Sequence, residues 1–537
     1  MTTAPRSTPS DPTPAQVTMT LSAIAATAAT PRPSGESQEA QALRMMGGIW
    51  TQLTDPGLAT GAALWRLVWL GLSPDNANMA YIAQNFDGSN EFAVIIRGTI
   101  DHPVDMMEDL DVGTIVPFPV NGTALPVSAG AMAAFTQVVN APGTTGTPGR
   151  TGAAAEPYER SGPALPIPSG SPLVQALAAL LALAPAAPQP TVYVTGHSLG
   201  GAVATLLATH LQARDWSPSE PRFALFTFAA PTAGLEDFAS YVDTVPWSAY
   251  GRYANAWDVV PLAWWNLTSA GSWFQDPPGP AATDEVLLLL KEIDTLRKGN
   301  LYVQPQATLP VLNGDYAAHD GRLVRRTTAD YLGQLAYQHA NATYLALLGA
   351  PLLTPGPVVT SLSTTTGDGG TPVTVTGTGF SAESVLDFGP IPCAEFSVDP
   401  SGTVIRALAP AGLGIVDVRV TNGLGTSPAV PLGQFAYGGL APVVVSAVAP
   451  DEGTHGDPVT ITGSGFADGA AVHFGKNPAE GRVHVEPPTQ ITAHVPRRLP
   501  TTADTGSADG TTVNVTVTVG VATSPTSPAD EFTYEKD

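Results

Sequence analysis

The sequence predicts an α/β domain with a mostly parallel sheet flanked by helices, followed by two all-β sandwiches. Three observations carry this. Between residues 39 and 352, short apolar or β-branched runs alternate with Ala/Leu-rich runs of helical length. From residue 356 the chain turns to Thr, Val, Gly and Pro and repeats itself. Finally, 54 Gly and 52 Pro in 537 residues, without a G-x-y period, describe a chain of turns and short strands.

In chain order, residues 1–38 are rich in Pro, Thr, Ser and Ala and are expected to form a disordered tail. Residues 19–30 make a poor secretory signal, with only Arg6 before an Ala/Thr-rich stretch. In the domain spanning 39–352, Ala80–Gln84 and Phe92–Ile96 flank the turn signal Phe86-Asp-Gly-Ser and read as a hairpin. Leu173–Leu183 and Ala202–Gln212 read as helices, and Val192–Thr195, Phe223–Phe228 and Tyr250–Ala256 as strands. Helices are expected near Asp284–Arg297 and Thr327–Leu348. Residues 141–171 lack periodicity and read as a surface insertion. Sandwiches are expected at 356–438 and 442–536, because Val373-Thr-Val-Thr-Gly-Thr-Gly-Phe380 recurs as Val459-Thr-Ile-Thr-Gly-Ser-Gly-Phe466. Each copy reaches a strand ending Phe-x-Tyr, at 435–437 and 532–534, and the second adds a loop at 496–511.

Charge narrows the function classes. The formal net charge of −23 opposes a nucleic-acid partner or docking on anionic lipid. It is spread evenly, with 28 acidic and 16 basic residues up to 355 and 18 and 7 beyond it, which is a solubility property. The single Cys393 excludes an intramolecular disulfide framework and a cysteine-clustered zinc site. No run approaches the ~18 apolar residues of a membrane helix.

The chemistry is concentrated in Gly196-His-Ser198-Leu199-Gly-Gly201. A bare G-x-S-x-G is weak evidence in so glycine-rich a chain, but this one follows an apolar strand and opens an Ala/Leu helix. That is the setting of a nucleophile elbow, which presents a serine on a sharp turn with the helix N-terminus facing developing negative charge. A serine nucleophile needs a base, and the base an orienting carboxylate, in the order Ser, acid, His. Of nine histidines, His319 and His339 satisfy that order within the domain; Asp258 heads the acids, with Asp237 and Asp243 still possible.

Here the middle segment resembles the class 3, fungal-type triacylglycerol lipases and their bacterial relatives, which have the α/β-hydrolase fold. Four motifs match in order: Ile96-Arg-Gly-Thr99 with Val104–Leu110, then 196–201, then Thr227-Phe-Ala-Ala-Pro-Thr-Ala-Gly234, and Asn255-Ala-Trp-Asp258-Val-Val-Pro261. The resemblance implies Ser198 as nucleophile and Asp258 as triad acid. It implies Thr99 and the Leu199 main-chain N–H as the oxyanion hole, where losing one donor costs about 10²–10³ in rate. Tyr337-Gln-His339 followed by Tyr344 is similar to the bacterial Q-H-x-x-x-x-Y pattern and implies His339 as base, with His319 the alternative. The repeats resemble immunoglobulin-like IPT/TIG domains, binding or spacer modules without catalytic residues.

The expectation is a carboxylic ester hydrolase of the lipase or esterase kind, acting through an acyl-enzyme on lipid or small esters, with transient contact with a lipid interface. It calls for no cofactor and no metal. The acidic cluster Asp105, Glu108, Asp109 and Asp111 is read as a helix N-terminal region, with Arg97 paired to one of its members. The alternative is an inactive or acyl-transferring surface protein whose sandwiches bind carbohydrate or protein. Trp264, Trp265, Trp273 and Phe274 read as core, or else as a lid or acyl groove, and helix 286–291 is equally two-sided. The sandwiches point to a secreted or cell-surface setting and the poor signal against it; acyl-chain preference and oligomeric state stay open.

Overall fold

The computed structural model describes residues 11–535 apart from 28–36, 56, 61–64, 99–109, 146–166, 169, 275–281, 306–310 and 313–327. In the C-terminal part it omits 383, 390, 413, 423, 428–429, 438–442, 467–469, 476, 487–488, 498–510 and 520–521. The chain divides into two compact units, Met1–Thr354 and Pro355–Asp537.

The first unit is an α/β domain, one mixed sheet flanked by helices. Its elements are α1 (Pro14–Thr27), α2 (Gln38–Leu53), β1 (Trp65–Leu72), β2 (Met79–Asn85), β3 (Glu91–Ile96), β4 (Ile115–Val120), β5 (Thr123–Ser128), α3 (Ala129–Asn140), β6 (Gly143–Thr144) and α4 (Leu173–Leu183). They continue with β7 (Thr191–His197), α5 (Leu199–Gln212), β8 (Arg222–Phe228), α6 (Glu236–Thr244), β9 (Ala249–Asn255), α7 (Asp284–Thr295), β10 (Val311–Leu312), α8 (Thr328–His339) and α9 (Asn341–Leu347).

Eight strands form one sheet in the order β10-β9-β8-β7-β3-β2-β1-β6. From β3 to β10 every pairing is parallel, and β3, β7 and β8 are almost wholly buried, β3 and β8 as runs rich in Val, Ile, Phe and Ala, as strands covered on both faces must be. From β3 to β6 every pairing is antiparallel. The sheet is therefore mixed rather than mostly parallel: turns as short as 73–78 and 86–90 allow only antiparallel neighbours. On one face Phe118, Phe135, Leu177, Val203, Leu207 and Phe238 bring α3, α4, α5, α6 and the separate β4–β5 hairpin into one core. On the other, Ile24, Met46 and Leu53 of α1 and α2 cover β1 to β3, and Met19 with Leu345 of α9 covers β8.

Helix α1 overturns the expectation of a disordered tail across residues 14–27. Its composition misleads because the hydroxyls are satisfied inside the helix: Thr18 donates to the Pro14 carbonyl (2.6 Å), Thr20 to Gln16 (2.8 Å) and Ser22 to Thr18 (2.9 Å). Ser22 also meets Thr195 of β7 (3.1 Å), and the Leu21 carbonyl accepts from the Tyr81 hydroxyl (2.8 Å). A helix whose polar groups are self-satisfied can be buried nearly all round. The proposed insertion at 141–171 is likewise tied down at both ends. β6 pairs with β1, and the Trp69 indole N–H donates to the Ser171 carbonyl (2.9 Å), while 146–166 lie outside the described residues. No helix among the described residues is long and apolar enough to cross a membrane.

The second unit holds two β-sandwiches of matching topology, each a four-stranded and a six-stranded sheet. The repeated glycines show why the motif recurs. A Cβ on Gly377 would come within 1.9 Å of the Val358 carbonyl oxygen, and one on Gly463 within 1.9 Å of that of Val444. Gly379 and Gly465 then turn with φ of +71° and +73°, aiming Phe380 and Phe466 into the two cores. The Phe-x-Tyr strands pack edge-on, Phe435 on Tyr437 and Phe532 on Tyr534. Most of the expected 496–511 loop, residues 498–510, lies outside the described residues.

Candidate active site

Ser198 stands between β7 and α5 with φ 59° and ψ −135°, a conformation costly for a side-chain-bearing residue. Neighbouring glycines make that turn possible. A Cβ on Gly196 would lie 2.3 Å from the Gly200 carbonyl oxygen, and one on Gly200 2.4 Å from that of Ile96. A Cβ on Gly98 would lie 2.8 Å from the His197 carbonyl oxygen, so the end of β3 runs beside the serine. Leu199 opens α5, and a first helical residue has no intrahelical acceptor for its N–H. Thr99, one residue beyond the close approach at Gly98, lies outside the described residues.

His339 is the last residue of α8. Ala340 (φ −62°, ψ 142°) breaks what the sequence suggested as one helix, and α9 starts after it. The His339 Nε2 lies 2.8 Å from the Ser198 Oγ, and its Nδ1 lies 2.9 Å from Oδ2 and 3.1 Å from Oδ1 of Asp258. Asp258 sits in the turn after β9, where its Oδ1 also accepts from the Val260 N–H (3.0 Å) and its Oδ2 from the Tyr344 hydroxyl (2.7 Å). All four side chains are buried. The structure thus brings Ser198, His339 and Asp258 into one hydrogen-bonded line, with Asp237 and Asp243 away on α6. His319 lies outside the described residues.

Burial pushes the Tyr344 phenol well above its usual range, with Asp258 acting in the same direction, so Tyr344 remains a donor. Burial, and then the nearby His339, hold His197 well below the usual imidazole value. Its ring centroid is 4.8 Å from that of His339 and 5.2 Å from that of Tyr344, so a neutral ring packs behind His339. Asn255 and Tyr344 stand within the sequence motifs without an assigned role. Their parts depend on partners 83 and 86 residues away, which spacing along the chain does not reveal.

The segment after Asp258 forms its own core from Val260, Trp264, Phe274, Leu290 and Tyr331. Trp264 and Phe274 are therefore packing residues and Trp273 is half-buried, while Trp265 is 42% exposed. Helix α7 is two-sided: Val286, Leu290 and Ile293 face inward, whereas Leu287 and Leu288 are 44% and 47% exposed. The Leu199 side chain touches both this core and the sheet core.

Of the acidic cluster only Asp111 is described, and its Oδ1 accepts from the Thr114 N–H (3.0 Å). Asp105, Glu108 and Asp109, named with Asp111 as partners of Arg97, lie outside the described residues. The Arg97 guanidinium donates to the carbonyls of Asn76 and Ala77, and burial lowers its pKa to about 10. Among the described residues no group of three or more His, Cys, Asp or Glu is arranged to hold a metal ion.

Residues 93–265 match the Lipase (class 3) family, and residues 357–437 and 442–534 each match the IPT/TIG domain. The chain is 42% identical over 76 residues to a lipase of Rhizomucor miehei, a match covering 14% of this chain and 20% of that protein. It is 39% identical over 71 residues to phospholipase A1-II 1 of Oryza sativa subsp. indica, covering 13% and 18%. The chain thus spans about a fifth of the length of these curated relatives. Among solved structures, M37 lipase is similar over 63% of this chain and 92% of its own, at 24% identity and a TM-score of 0.48.

Proposed function

We propose that the protein is a serine hydrolase of carboxylic esters, acting on acylglycerol or related lipid esters through an acyl-enzyme. The observation that carries this reading is the unbroken line from the Ser198 hydroxyl through His339 to Asp258, mounted on a strained strand-to-helix turn. His339 Nε2 takes the hydroxyl proton as Ser198 Oγ bonds to the ester carbonyl carbon, and Asp258 stabilises the resulting imidazolium. The carbonyl oxygen gains the negative charge, and the Leu199 N–H, with Thr99, receives it at the positive end of α5. Collapse expels the alcohol, which takes the proton from His339. Water, deprotonated by the same imidazole, then releases the carboxylic acid and restores Ser198.

A neutral lipid surface suits the exposed Leu287, Leu288 and Trp265 better than an anionic one, given the net charge of −23. In this reading the sandwiches are accessory modules that bind protein or carbohydrate.

Hydrolysis of p-nitrophenyl esters of increasing chain length, with and without an emulsified interface, tests the reading. Turnover is expected, with modification of Ser198 by a fluorophosphonate probe. His339→Ala is expected to lower turnover by about 10³-fold or more, and His319→Ala to leave it within about threefold. No Ser198 adduct on folded protein, or the reverse ranking of the two histidines, would overturn the assignment.

A further inference from the structure

The relay depends on keeping two distant segments in register. One is the turn after β9 that carries Asp258, and the other is the end of α8 that carries His339, 81 residues later. One residue is bonded to both. Asn255, only 2% exposed, donates from Nδ2 to the Gln338 carbonyl (3.0 Å) and to the Gln338 Oε1 (2.7 Å). Its Oδ1 accepts from the Trp257 N–H (3.2 Å), and its carbonyl from the Asp258 N–H (3.0 Å). Its own N–H donates to the Tyr344 hydroxyl (2.9 Å), which in turn donates to Asp258 Oδ2.

We propose that Asn255 is the positioning residue of the acid–base pair. It clamps the residue before His339 to the turn that carries Asp258 and so sets the distance between carboxylate and imidazole. The inference rests on the reading of Ser198, His339 and Asp258 as the working groups. Its physical basis is the helix end. The last four carbonyls of a helix lack intrahelical partners, and Gln338 is the penultimate residue of α8. The Asn255 amide supplies that missing donor from the strand carrying the acid turn, so capping the helix and aligning the base are one act. Aspartate at 255 would offer no hydrogen to Gln338, and alanine would leave the carbonyl buried without a donor.

A double-mutant cycle separates positioning from mere folding. Asn255→Ala and Gln338→Ala would each be made in the wild-type and His339→Ala backgrounds, with kcat and KM on a short p-nitrophenyl ester and melting temperature recorded. Asn255→Ala is expected to lower kcat about 10–100-fold with KM within about twofold, and the loss should vanish once His339 is absent. Gln338→Ala retains the main-chain acceptor, so about 3–10-fold is expected, again confined to kcat. It carries the test if Asn255→Ala does not fold. Undiminished kcat in a folded variant, or equal losses in both backgrounds, would overturn the proposal. Failure of the underlying reading would show separately, as full turnover by His339→Ala alone.

Discussion

Two glycine-rich motifs, one in each unit, use the same residue for different ends. At 196–201 glycine lets strand, helix and the end of β3 crowd around a side chain held at φ 59°. At 377–379 and 463–465 it lets a strand pass so close to a neighbouring carbonyl that an added Cβ would lie 1.9 Å from the oxygen, and then turn. The second arrangement occurs twice with near-identical geometry and serves packing. Among the described residues the first occurs once, and it places the strain on Ser198, a polar residue with glycines at 196, 200 and 201 around it. Repetition marks the structural use, and strain concentrated on a polar residue marks the chemical one.

The sharpest way to break this contrast is to put glycine at the strained position. Ser198→Gly should lower ester hydrolysis by about 10⁴–10⁶-fold while raising unfolding free energy by about 1 kcal/mol. Denaturation alongside kinetics checks it, and a destabilised variant would mean the turn is not strained. Conversely, Gly463→Ala or Gly377→Ala should cost its sandwich about 1–3 kcal/mol and leave kcat/KM unchanged. Calorimetry with the ester assay reads both, and lost hydrolysis would show that the sandwiches matter to the chemistry.

The smallest effect concerns His197. Burial holds its folded-state pKa well below 6.5, so the unfolded chain binds a proton there that the folded chain does not. Stability from this site is complete above about pH 6.5 and is lost as pH falls below it. His197→Asn should make the decline in stability from pH 6.5 to 5 shallower by up to one proton's worth of slope. An unchanged slope in denaturant titrations would contradict that.

The sandwiches were legible because period-two alternation and a repeated glycine pattern are local signals. The elbow was legible for the same reason, since strand, G-x-S-x-G and helix are contiguous. Asp258 and His339 were reached through chain order and family pattern, and the geometry joins them at 2.9 Å. Three features stayed hidden. Helix α1 conceals its hydroxyls within its own turns, so its composition looks like that of a tail. The β4–β5 hairpin carries Pro117, Pro119 and Pro126, which weaken any strand signal. Asn255 acts through partners that only the fold brings near.

Helix α1 also sets an order of assembly. Gln16 donates to the carbonyl of Leu348, 332 residues away, and the neighbouring α9 carries Tyr344, which holds Asp258. Such a contact closes a very long loop, which makes it late and slow relative to local structure. During synthesis this helix can pack early on α2 and β1–β3, but its contact with α9 must wait until residue 348 has been made. The bond from Tyr344 to Asp258 is completed by the same late closure that seats α1 against α9.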